Sequence, residues 1–150
     1  MASIRACLCA VLVCLAMAGC GAWGDKGVEI TDDERLEAGL HELSERGESG
    51  RLRDLTDWSW DEVHVFSEGV TRESVESVVG APVRMNDRYY TAGNLLVFEE
   101  NGKVVKAVSV IGDILKATQP TWPADVRLEP QGDLRPALLL LTVLTPEPQN

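Results

Sequence analysis

After position 20 the chain has no cysteine, because Cys7, Cys9, Cys14 and Cys20 account for all four. A domain folded from the remaining residues therefore has no disulfide framework and no cysteine metal site. Histidine is nearly as scarce, with only His41 and His64, and there is no His-Glu-x-x-His pair. A Gly-x-Ser-x-Gly elbow, a Ser-x-x-Lys pair and a phosphate-binding glycine loop are missing too. Basic residues are few: 14 Lys and Arg stand against 24 Asp and Glu, a formal net charge of −10. That balance argues against a nucleic-acid groove, which needs a basic face to replace phosphate counterions, and against adsorption to anionic lipid through a polybasic patch. Long apolar runs are absent as well. Ala6 to Ala18 and Ala137 to Leu144 both fall short of the roughly 20 residues of a membrane-spanning helix. What is present, 150 residues with 45% apolar and 25% charged side chains, accommodates one small domain.

One positive charge, Arg5, precedes the first apolar run, which ends in Leu15-Ala16-Met17-Ala18-Gly19-Cys20. This order of charge, apolar stretch and small residues reads as a secretory signal. Small residues ahead of a cysteine resemble the bacterial lipobox, with Met17 standing where leucine is more usual. The resemblance implies a lipoprotein signal peptide over residues 1–19, cleavage before Cys20 and acylation of Cys20. Acyl chains contribute roughly 0.8 kcal/mol per buried methylene, so two or three chains anchor a protein stably. The location implied is the bacterial cell envelope, held to a membrane by lipid. Gly21 after the cysteine, rather than Asp, implies the outer membrane in a Gram-negative host. The alternative is an ordinary signal peptide cut nearby, which leaves a freely secreted protein with one thiol.

Residues 20–31 contain three glycines and no apolar period, which predicts an acylated cysteine followed by a flexible tether. A single domain is expected over residues 32–145 and a disordered, proline-punctuated tail over 146–150. Thr31 or Asp32 is placed to cap a first helix, with Asp33, Glu34 and Glu37 where the helix dipole favours acids and Leu36, Leu40 and Leu43 on one face. Gly47 and Gly50 end or interrupt it. Trp58, Trp60, Val63 and Val65 alternate with a one-residue slip, which predicts a bulged strand. Thr71 then caps a second helix with Val75, Val78 and Val79 as its stripe, stopped by Gly80 and Pro82. Arg88–Thr91 and Asn94–Phe98 read as strand. Asn101-Gly102 predicts a hairpin joining Leu95–Glu99 to Lys103–Ile111, because both central turn residues need positive φ. Gln119–Ala124 reads as a loop, with further strands at Val126–Leu128 and Ala137–Leu144.

The run Gly69-Val-Thr71-Arg-Glu-Ser-Val75-Glu-Ser-Val-Val-Gly80-Ala-Pro82 resembles the signature of the small protein A/outer membrane lipoprotein A family. Gly69, Thr71, Val75, Gly80 and Pro82 match that signature, and the resemblance extends to about Ile111. It implies an α+β fold, two short helices packed on a small antiparallel sheet of about four to five strands. Tandem copies of this fold form the β-lactamase inhibitor protein. Family members are envelope lipoproteins, the best known an accessory subunit of the outer-membrane β-barrel assembly machine. Trp60-Asp-Glu-Val63-His-Val65-Phe66 ahead of the second helix is more similar to a group of uncharacterised bacterial lipoproteins.

Candidate residues are accordingly few. No catalytic residue, cofactor or metal ligand is expected. His41 lies on the polar side of the first helix, and His64, between Val63 and Val65, is expected to point away from them and to be partly exposed. Asp54, Asp57, Asp61 and Glu62 read as a solvated charge run without the alternating acids of a calcium loop. The aromatics carry the interaction signal: Trp58, Trp60, Tyr89 and Tyr90 are candidates for contact with a protein partner, since exposed aromatics are favoured anchors. Trp60, Phe66 and Phe98 are equally candidates for the core. Tyr89 and Tyr90 are adjacent and face opposite ways if extended, so one of them is expected outside. The expected function is a lipid-anchored, non-enzymatic protein-binding or assembly-accessory module that meets no nucleic acid. A binder or inhibitor of an exported enzyme is the alternative. A cryptic enzyme would require a deep polar cleft.

Overall fold

Asn101 and Gly102 take φ values of 52° and 70°, and the turn they make folds two long strands onto one another. In the computed structural model, which describes residues 27–143, these are β5 (Gly93–Glu100) and β6 (Lys103–Ile111). Around this hairpin lie β1 (Val28–Asp32), β2 (Gly50–Arg51), β3 (Glu62–Ser67), β4 (Val83–Arg84), β7 (Leu115–Lys116), β8 (Thr121–Pro123), β9 (Arg127–Gln131) and β10 (Leu138–Thr142). The helices are α1 (Glu34–Arg46) and α2 (Arg72–Val79), and a 3₁₀ turn occupies Leu52–Leu55. A six-stranded sheet runs in the order β4-β1-β6-β5-β3-β8, and a four-stranded sheet in the order β2-β9-β10-β7.

The larger sheet is covered on both faces. On one face Val63, Val65, Leu96, Phe98, Val108 and Val110 meet Leu36 and Leu40 of α1 and Leu128, Leu139 and Leu141 of the smaller sheet. On the other, Phe66, Leu95, Val97 and Ala107 meet Val75 and Val79 of α2 together with Val83 and Tyr89. Double cover explains why β5 is buried from Gly93 to Glu99 and reads as a nearly unbroken apolar run rather than an alternating one.

The described residues are therefore α+β with two helices, as expected, but the sheet arrangement differs. There are two sheets instead of one of four to five strands, and the helices lie on opposite sides of the larger one. Neither sheet is purely antiparallel, because β1 runs parallel to β4 and β6, and β7 parallels β10. Strands of two or three residues, such as β2, β4, β7 and β8, are too short to show a period in sequence.

Several local expectations change with this. Val28–Thr31, read as the end of the tether in residues 20–31, belong to β1, where Ile30 stands opposite Ala107 and Asp32 opposite Ser109. Asp33 rather than Thr31 or Asp32 caps α1, since those two residues belong to the strand. The strand foreseen from Trp58 begins only at Glu62, and the register shift falls across the partner strand, at Phe98/Glu99. Thr121–Pro123 adds a strand where a loop was expected, while Arg88–Thr91 makes only an isolated bridge from Arg88 to Thr71. The signal peptide, Cys20, the first part of the tether and the tail lie outside the described residues.

Candidate functional site

The four aromatics singled out by the sequence are divided by the structure. Trp60 is buried at 2% exposure, with Nε1 donating to Thr56 Oγ1 at 2.9 Å and its ring edge-on to Phe98 at 5.1 Å. It belongs to the core and is withdrawn from the interaction surface. Tyr89 is withdrawn for the same reason: it is 4% exposed, and its hydroxyl donates to the Asn94 carbonyl at 3.1 Å and lies 2.6 Å from Ser109 Oγ. Trp58 is half-buried, edge-on to Phe98, with the Lys106 ammonium 3.9 Å from its ring centre, a cation–π arrangement. Lys106 also pairs with Asp33, the cap of α1. Burial opposes ionisation of Asp33, yet the Lys106 ammonium and the amides of Leu36 and Arg35 outweigh it and hold the carboxyl below its ordinary value.

Tyr90 is the member left outside, 68% exposed. The inward–outward split of Tyr89 and Tyr90 follows the expected alternation, although the segment is not a continuous strand. Tyr90 lines a shallow groove of about 430 Å³ with Ile30, Met85, Arg88 and Ile111. Three segments build it: the exposed side of β1, the end of β6 and the link between β4 and β5. Ile111 is itself 52% exposed, so the groove offers aromatic and aliphatic surface to solvent. None of its lining residues is histidine or cysteine.

A second constellation was missed by sequence reasoning. Along β3, Glu62, His64 and Phe66 face opposite to Val63 and Val65, as the alternation predicts. The sheet is closed over His64, however, and that residue is 2% exposed rather than partly open. Strand pairing sets Glu62 directly opposite Glu99 of β5 and His64 opposite Thr121 of β8. His64 Nδ1 lies 2.9 Å from Thr121 Oγ1. Its Nε2 lies 3.2 Å from Glu99 Oε1 and 3.5 Å from Glu62 Oε1, but hydrogen-bonds to neither. Glu62, its side chain 45% exposed, thus stays partly solvated but also borders His64. Its neighbour Asp61 remains at the surface, where it accepts from the Asn101 amide at 2.8 Å. The sequence signal was confined to the alternate positions 62 and 64; the third member comes from the pairing of β3 with β5.

No helix among the described residues is long and apolar enough to cross a membrane. Compared with known proteins, the chain matches no family model, no curated protein and no solved structure.

Proposed function

We propose that the chain is a lipid-anchored bacterial envelope protein whose α+β domain binds another protein and performs no chemistry of its own. The observation that carries the binding half is the exposed Tyr90 beside Ile111 in an open groove, a large amphipathic ring on the link between β4 and β5. The anchoring half rests on Leu15-Ala16-Met17-Ala18-Gly19-Cys20 and its resemblance to a lipobox. A net charge of −10 favours a partner that surrounds an apolar side chain with basic residues, since complementary charge speeds and orients encounter.

The test has two parts. Intact mass of the membrane-fraction protein, beside Cys20→Ala, is expected to show a diacyl or triacyl increment that the substitution abolishes. An unmodified soluble product overturns the anchor. A photo-crosslinker at position 90 is then expected to capture a specific envelope protein, whereas one at Leu134, exposed and outside the groove, does not. Equal labelling from both positions overturns the groove as the interface. Capture of an exported hydrolase from position 90 alone transfers the role to inhibition.

A further inference from the structure

We propose that Glu62, His64 and Glu99 form a binding site for a divalent transition-metal ion of the zinc type. The three donor atoms, one per residue, all lie within 4.8 Å of one another. His64 is the decisive member. Its side chain is 3% exposed, and Nε2 faces two carboxylates without a hydrogen bond to either. Two tautomers exist, and both leave the same deficit. With the proton on Nδ1 and donated to Thr121, the Nε2 lone pair converges with two anionic oxygens. With the proton on Nε2, neither oxygen accepts it and Nδ1 accepts from the Thr121 hydroxyl.

Charge leads to the same conclusion. Like charges placed directly opposite on neighbouring strands repel, and Glu99 is 7% exposed, where an uncompensated carboxylate is costly. Among the described residues neither Glu62 nor Glu99 has a lysine or arginine within ion-pair distance. A neutral imidazole leaves two negative charges and a protonated one leaves one; a divalent cation cancels both carboxylates. Two of the three donor–donor distances suit the ion as well. Ligands about 2.0–2.2 Å from a tetrahedral centre stand about 3.3–3.6 Å apart. His64 Nε2 is already 3.2 Å and 3.5 Å from the two oxygens.

The donor set selects the metal class. Calcium and magnesium prefer shells made of oxygen, whereas imidazole with carboxylates suits zinc and its neighbours. The bond between His64 Nδ1 and Thr121 is the outer contact that fixes the ring of a metal-bound histidine. Glu62, its side chain 45% exposed, is the side from which an ion enters and the ligand free to swing inward. Three protein ligands leave a fourth position to water.

Zinc chloride titrated into the isotopically labelled full chain tests the site through its two imidazoles. One equivalent is expected to shift the His64 Nε2 resonance and leave His41, exposed on α1, unmoved. This reading is blind to zinc held by the cysteines near the N-terminus. Glu62→Gln, at a half-exposed position that keeps the packing, is expected to weaken binding at His64 about 100-fold, since losing a ligand costs at least as much as losing an outer contact. His64→Gln is expected to abolish it, and Thr121→Val to weaken it about 10-fold. A His64 resonance that excess zinc does not move overturns the proposal, as does equal affinity of the wild type and Glu62→Gln.

Discussion

Replacing Asp33 separates two contributions that one carboxylate makes to the same corner of the fold. Its Oδ1 accepts from the Leu36 amide at 3.0 Å and closes the first turn of α1. Its Oδ2 pairs with the Lys106 ammonium, which rests on the face of Trp58. Asp33→Asn keeps an acceptor for the helix amide, because asparagine caps about as well as aspartate, and removes the charge. Asp33→Ala removes both. Loss of a cap costs about 1 kcal/mol. The ion pair, with Asp33 14% and Lys106 29% exposed, lies between surface and buried pairs, and its loss costs about 1 kcal/mol. Urea unfolding at neutral pH is therefore expected to give a loss of about 1 kcal/mol for Asp33→Asn and about 2 kcal/mol for Asp33→Ala. The charge contribution also has a signed pH dependence. The folded carboxyl is held below its ordinary value, so its stabilisation is complete above the unfolded value, near about 3.9, and is lost as pH falls through the folded one. The gap between wild type and Asp33→Asn should thus close below about pH 4, while the gap between the two variants persists. Equal losses for Asn and Ala refute the capping argument. A wild-type advantage over Asn that is unchanged at low pH refutes the ion-pair argument.

Two further substitutions probe the larger sheet. Tyr89→Phe removes a buried hydroxyl and leaves Ser109 Oγ and the Asn94 carbonyl without it, so a loss of about 1–3 kcal/mol is expected in a thermal or urea melt. Gly93→Ala meets both a φ of +126° and a Val110 carbonyl oxygen 2.2 Å from the new Cβ, backbone that cannot step aside. A loss above about 3 kcal/mol, or failure to recover folded protein, is expected, and a normal melting curve would refute that placement.

Elements whose ends are set by local chemistry were legible in the sequence. Thr71 Oγ1 accepts from the Ser74 amide at 3.2 Å and Gly80 takes a φ of +72°, so α2 begins and ends on the residues that cap it. Leu36 and Leu40 bury as their spacing requires, with Leu43 half-buried beside them, and Gly47 stops α1 in the left-handed conformation. The Asn101-Gly102 hairpin has the same origin. What stayed hidden depends on partners distant in the chain. β1 is short, half polar and preceded by glycine, and it becomes a strand only because β6 and β4 flank it in parallel. Trp58 and Trp60 mimic strand alternation while belonging to a link that tucks beside Phe98. Of the four aromatics Tyr90 alone is largely exposed, and Trp58 is half-buried.

The Glu62–His64–Glu99 cluster was illegible for a different reason, and that reason bears on what the cluster is. Alternation along β3 identified the face on which Glu62, His64 and Phe66 lie. In a protein with one covered sheet face, that side would be wet and its polar groups would need no partners. Here Phe66, Leu95 and Val97 of the same face pack under α2 and Val83, so polar groups at its margin lose water as well. Repeating the apolar pattern on both faces would have been the simplest way to fill a doubly covered sheet, and β5 does so from Leu95 to Phe98. At position 99 the apolar run stops, and a glutamate faces a second glutamate across the pair with a histidine beside them. A buried carboxylate at Glu99, a half-exposed one at Glu62 and an imidazole nitrogen bonded to neither make the charge imbalance on which the proposed cation site rests.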